Sequence, residues 1–184
     1  MPLTMENTCL VIVLAPLIGA MLAGLGGGII GRSGAHWATI IGVGVSAALS
    51  LLVWKHMFVD GGEIYNGAVY TWLVSGDLRL EAGFLIDRLT VTMMVVVSFV
   101  SWVIHIYTIG YMHDDPHVPR FFAYLSLFTF AMLSLVTADN FVQLFFGWEG
   151  VGLCSYLLIG FWFEKPRSEE HTSELQSHVR ISYA

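Results

Sequence analysis

Cations are scarce in this chain: eight Lys and Arg stand among 184 residues, against fourteen Asp and Glu. Phosphate neutralisation scales with the number of cations presented together, and eight scattered ones form no basic face, so nucleic acid is excluded as a partner. Cysteine is rarer still. Cys9 and Cys154 fall in different apolar segments without CxxC spacing, which excludes a disulfide framework and a zinc or iron-sulfur site. GxSxG, the Walker lysine and HExxH are all missing, so neither a hydrolase nor an ATPase is encoded. No metal site and no catalytic residue is expected here, and any redox centre belongs on another chain.

Charge of either sign is thin. Charged residues make 12% of the chain, where soluble domains carry about 25%. Hydrophobic residues make 56% of it, and the mean hydropathy is +0.72. With His counted neutral, residues 7–31, 33–54, 89–113, 121–138, 140–148 and 150–163 contain no charge at all. Most of the polypeptide therefore belongs in a lipid bilayer.

These runs predict an all-α integral membrane protein with five transmembrane helices, at about 9–30, 35–54, 89–112, 121–138 and 141–163. The first run follows Glu6 and has no basic n-region, so it reads as a retained helix rather than a signal peptide. Its Gly24-xxx-Gly28 spacing suits close helix packing. Residues 26–31 also satisfy GxGxxG formally, but no strand precedes them and no acid follows at the expected distance, so packing is preferred over dinucleotide binding. Trp37 and Trp54 suit the interfacial belts.

Between the second and third runs the character changes. Ala68–Val74 is rich in Val, Tyr, Thr and Trp, Leu78, Leu80 and Ala82 alternate with Arg79 and Glu81, and Ser75-Gly76-Asp77 lies between them. This predicts an extramembrane β-hairpin over about 68–84. Asp87 is a good N-cap for the third helix. His113 to Arg120, with two prolines, is a loop in water, and Asp139-Asn140 is a turn. The tail 167–184 is polar, resembles translated cloning sequence, and is expected to be non-native. Orientation from charge is weak. Lys55, Arg79 and Arg88 fall on one face and Arg32, Arg120, Lys165 and Arg167 on the other, which barely favours the second as cytoplasmic.

Two residues are candidates for moving protons. Glu149 lies roughly 12 Å along its helix from Phe141, well inside a hydrocarbon core about 30 Å thick. An acid near the centre costs roughly 2.5–3.5 kcal/mol on insertion scales. Either it stays protonated, or a buried cation or water partners it, and both suit proton transfer. The alternative is that it bonds a backbone carbonyl or another helix as packing glue. Gly147, Gly150 and Gly152 leave room beside it. His105 is the second candidate, in a stripe of Ser98, Ser101, His105 and Thr108 spaced to line one helix face. Such a file can orient water and pass protons, although hydroxyls in membrane helices are also routine packing groups. His36, His56, His113 and His117 read as interfacial. The aromatics of the fifth run, from Phe145 to Trp162, read as packing or lipid-facing groups rather than a quinone pocket.

The fifth run carries a familiar string. Ala138-Asp139-Asn140, then Gly147-Trp148-Glu149-Gly150-Val151-Gly152-Leu153-Cys154-Ser155-Tyr156, closely resembles subunit L of proton-pumping NADH:quinone oxidoreductase, chain 5 of respiratory complex I in mitochondria. Asp87-Arg88-Leu89-Thr90, Ile104-His105-Ile106-Tyr107, Gly110-Tyr111-Met112 and Arg120-Phe121-Phe122-Ala123-Tyr124 match that family in order and spacing, so the resemblance spans about 9–166. It implies a partial antiporter-like subunit of the bacterial inner membrane, or the mitochondrial one if the chain is organellar. It implies a periplasmic hairpin, and other membrane-arm subunits as partners. Flavin, iron-sulfur clusters and quinone would sit on those partners and no cofactor on this chain. Glu149 falls on the family's glutamate, thought to modulate a lysine on a later helix. Family members are much longer and hold their central lysines beyond this chain, which therefore reads as an N-terminal fragment, inactive alone. The related rivals are the large subunit of a multi-subunit cation/proton antiporter or of a membrane-bound hydrogenase; a helical docking segment is the structural one.

Overall fold

The computed structural model describes residues 4–76 and 78–162. The expected tail 167–184 lies outside the described residues. In chain order the elements are α1 (Met5–Phe58), β1 (Tyr65–Ser75), β2 (Leu78–Ile86), α2 (Arg88–Tyr111), α3 (Val118–Val136) and α4 (Phe141–Ile159). All four helices are long and apolar enough to cross a membrane.

The count of five helices is corrected to four among the described residues. The chain stays helical across the segment where a linker was expected, and the only non-helical residue inside α1 is Gly31, at φ 67° and ψ −174°. That backbone region is essentially closed to residues with a Cβ. One residue is enough to fold α1 back on itself, so its two arms lie side by side. A Cβ on Gly42 would come 2.7 Å from the Ala15 carbonyl oxygen, and one on Gly19 would come 3.1 Å from the Thr39 Cα. The arms thus meet through Gly19 and Gly42. Gly24 instead faces Ala123 of α3, and Gly28 has no neighbour close enough to matter.

Pro16 leaves α1 short of one backbone donor, because proline has no N–H for the carbonyl four residues earlier. That carbonyl belongs to Ile12, and the buried Ser46 hydroxyl of the opposite arm donates to it at 2.6 Å. Ser126 of α3 donates to the Pro16 carbonyl at 2.8 Å, which joins the third helix to the same point. In lipid, where water cannot serve these groups, side chains must.

The hairpin is longer than expected because pairing continues to Tyr65↔Ile86, beyond the alternating segment. It is antiparallel, with register irregularities between Ala68 and Tyr70 and between Thr71 and Leu73. Gly76 turns the chain at φ 61°. Phe84 and Ile86 anchor it in a buried cluster with Ile12, Met57, Met94 and Leu133. Gln143 pairs with it as a strand would. Its Oε1 accepts from the Gly83 N–H and its Nε2 donates to the Gly83 carbonyl, both at 3.0 Å. Asn140 Nδ2 donates to the Glu81 carbonyl at 2.8 Å, and Leu85 N–H donates to the Thr137 carbonyl at 3.1 Å.

Asp87 caps α2 as expected, accepting from Thr90 N–H at 2.7 Å. The start of α3 is earlier than expected, since Pro119 falls in the first turn, where its missing N–H has no intrahelical role. Asn140 caps α4 through Gln143 N–H. That helix stops at Gly160, short of the expected 163, and Phe161 and Trp162 fold back. Trp162 Nε1 donates to Asp115 Oδ2 at 2.7 Å, and the Arg120 guanidinium lies 4.8 Å from the Phe161 ring centre.

Two polar ends result. The hairpin, the start of α1 and the α3–α4 turn share one end. The Gly31 elbow, the α2–α3 loop and the end of α4 share the other, where Arg32 donates to the backbone carbonyls of His113 and Asp115.

Candidate functional site

The stripe predicted on α2 faces the interior of the helix bundle. Ser98 and His105 are fully buried and Thr108 nearly so. Ser98 and Thr108 return their hydroxyls to carbonyls one turn back, at 2.6 and 2.7 Å, which is the ordinary membrane-helix arrangement. Ser101 and His105 differ. Ser101 Oγ lies 2.5 Å from Thr129 Oγ1 of α3, linking the two helices, and 3.4 Å from His105 Nδ1.

The His105 ring is held by its own helix. Nδ1 lies 2.8 Å from the Ser101 carbonyl oxygen, and a carbonyl can only accept, so Nδ1 carries the hydrogen and donates it. The tautomer follows. Nε2 is left with an unshared lone pair, buried and without a hydrogen-bond partner among the described residues. Neutral imidazole with one nitrogen tethered and the other open is the arrangement a proton carrier needs.

Glu149 lies elsewhere. Gly147 packs on the Leu135 backbone and Gly150 on Ala131, so these glycines bring α4 against α3. The Glu149 side chain is on the outer, exposed face of α4, with Trp148, Leu153 and Tyr156 as exposed neighbours. No ion pair or hydrogen bond reaches its carboxylate among the described residues. The two candidates are therefore not brought together. Thr129 of α3 meets the Ser101–His105 side, whereas Ala131 and Leu135 of the same helix meet α4.

Sequence reasoning missed the polar groups that α1 and α3 contribute. Thr39, Ser46, Ser50, Ser126 and Thr129 are all fully buried, and Ser50 Oγ has no partner among the described residues. Their signal was faint, since single hydroxyls in apolar runs look like packing groups. His36 reads as interfacial and lies half-buried at the elbow end; its ring stands 6.0 Å from that of Phe122, which also stands 6.0 Å from His105. Among the described residues no group of three His, Cys, Asp or Glu could hold a metal ion.

Paired helices, a polar file inside them and a capping hairpin define the described residues as a multi-pass membrane segment. A chain of the archaeal membrane-bound sulfane sulfur reductase, a respiratory membrane complex, superposes with a TM-score of 0.67 at 16% identity. That match covers 83% of this chain and 23% of the other, and it concerns the fold alone. Residues 72–122 match the family model described as the N-terminus of complex I NADH-ubiquinone oxidoreductase chain 5. Residues 138–182 match the transmembrane model shared by NADH:quinone oxidoreductase and Mrp antiporters. NADH-quinone oxidoreductase subunit L of Neisseria meningitidis serogroup B is 58% identical over 160 residues, covering 85% of this chain and 23% of the relative. NADH-ubiquinone oxidoreductase chain 5 of Arabidopsis thaliana is 47% identical over 161 residues, covering 88% and 24%. The chain belongs to the subunit L/chain 5 family, and it spans about a quarter of the length of these curated relatives.

Proposed function

We propose that the chain is the amino-terminal portion of a membrane-arm subunit of NADH:quinone oxidoreductase, contributing to proton translocation coupled to electron transfer from NADH to quinone. The observation that carries this is Glu149, a carboxylate at mid-helix on α4 whose neighbours on that face, among the described residues, are apolar or aromatic. Left against lipid it would be costly, so its value lies in a charged partner that other parts of the protein bring to it. A carboxylate answering to a movable cation loads a proton when the cation leaves and releases it when the cation returns. His105, with its open Nε2, is the second site of the path. Flavin, iron-sulfur clusters and quinone are assigned to partner subunits, and the other membrane-arm subunits and the lipid bilayer are the partners of this chain. The setting is a bacterial inner membrane, or the mitochondrial inner membrane for an organellar chain. Counting the arms of α1 separately, the segment makes five traverses, with the hairpin outside the cytoplasm.

Glu149→Gln in the full-length subunit tests the reading. Proton pumping by the assembled complex in proteoliposomes should fall by about 100-fold or more, the lower end of the usual reach of a proton-transfer group. Unchanged pumping with normal assembly would favour a docking segment and remove the carboxylate from the mechanism. The model shared with Mrp antiporters supports a second reading, the large subunit of a cation/proton antiporter. Sodium-dependent proton uptake without NADH would select it.

A further inference from the structure

At the elbow end, a pocket of about 190 Å³ opens between the start of the second arm of α1 and the end of α2, lined by Arg32, Ser33, His36 and His113 among others. That volume is several times what a single water needs. Its wall includes Ile109 and Met112 of α2, so the pocket ends about one helical turn from His105. His36 is half-buried in that wall, and the Phe122 ring stands against the rings of both His36 and His105, at 6.0 Å from each. Phe122 is itself fully buried.

We propose that this pocket is the aqueous mouth of the proton file, that His36 is its first imidazole, and that the Phe122 ring is the gate between His36 and His105. The proposal rests on the reading of His105 as a proton carrier and adds the route to it. Three observations meet at this end of the bundle: a water-sized pocket walled by His36, a buried nitrogen with an open lone pair, and a buried aromatic ring in contact with both imidazoles. Phenylalanine cannot carry a proton, so with the ring in place the file is interrupted. When the ring turns about its side-chain torsions, water or His36 reaches His105 Nε2. The proton then resides on Nε2 and the ring becomes imidazolium, with Nδ1–H still held by Ser101. It returns to neutrality by releasing that proton from Nε2 to the next water or imidazole that reaches it, while Nδ1–H stays on the Ser101 carbonyl.

The test is chemical access in the assembled complex, with Cys9 and Cys154 replaced by Ala and a cationic methanethiosulfonate as the probe. His36→Cys should react readily, as should Asp114→Cys in the exposed loop. His105→Cys should react at least about tenfold more slowly while Phe122 is present, because reaction follows the population of the open form. Phe122→Ala should restore most of that rate. Phe122→Leu, read in parallel, keeps the packing and should restore part of it. An inert His36→Cys beside a reactive Asp114→Cys overturns the mouth. A His105→Cys rate that ignores residue 122 in both variants overturns the gate. Neither readout needs proton pumping: if His105→Gln pumps normally while the access pattern holds, the functional role of His105 fails and the route stands.

Discussion

Ser46 and Pro16 show how single residues hold a membrane hairpin together. Proline strips the Ile12 carbonyl of its helical donor, and the serine on the opposite arm supplies one. Ser46→Ala should destabilise the segment by about 1–2 kcal/mol, the upper range for interhelical hydrogen bonds in bilayers. Pro16→Ala should offset most of that loss in the double variant, since the amide it restores serves the same carbonyl. Chemical unfolding in detergent measures both, and a double variant as weak as Ser46→Ala alone would contradict the pairing. At this scale the sequence was partly legible. The carboxylate in an apolar run and the α2 stripe marked Glu149 and His105. Sequence spacing holds no information about which side of α3 each would occupy, so their separation, and the approach of His36 to Phe122, could not be read.

Elements were legible wherever local chemistry decides them. Asp87 reads as a cap and is one, and Asn140, which reads only as part of a turn, caps α4 by the same chemistry. Boundaries went astray where a longer-range contact decides. The Gly31 elbow needs only one residue because the arms it joins pack closely, and Pro119 begins α3 rather than preceding it. Gly31→Ala should cost about 1–3 kcal/mol through the strained backbone alone, seen as a lower unfolding midpoint and reduced accumulation in the membrane. An Ala variant as stable as the parent would mean the elbow adopts another conformation. Gln143 is a second element-level device. Gln143→Leu should leave the helices in place and loosen the hairpin, still anchored through Phe84 and Ile86, giving faster protease cleavage within residues 65–86. Gly83→Ala should act in the same direction, because a Cβ there would collide with the Asp139 carboxylate.

Over the whole molecule, hydropathy revealed the class and the motifs revealed the family, while the number of helical elements did not follow from either. A charge-free run reports that a stretch belongs in lipid, and two such runs separated by Arg32 alone are one helical element to the backbone, bent at Gly31. The two ends of the structure carry a direct expectation. With Cys9 and Cys154 replaced, cysteines placed at Asn66 in the hairpin and at Asp114 in the α2–α3 loop should be modified by a membrane-impermeant reagent from opposite sides of sealed vesicles. Modification of both from one side would break the arrangement of traverses described above.

The glutamine pairing also bears on how the protein is made. Gly83 leaves the ribosome 60 residues ahead of Gln143, an interval of about 3–12 s at common translation rates of 5–20 residues/s. Until α4 is threaded into the bilayer, the hairpin has lost its latch, and its exposed strand edges are open to wrong pairing. Biogenesis of this subunit therefore has a vulnerable window whose length is set by the synthesis of α2 and α3, and slowing translation over those helices should lengthen it.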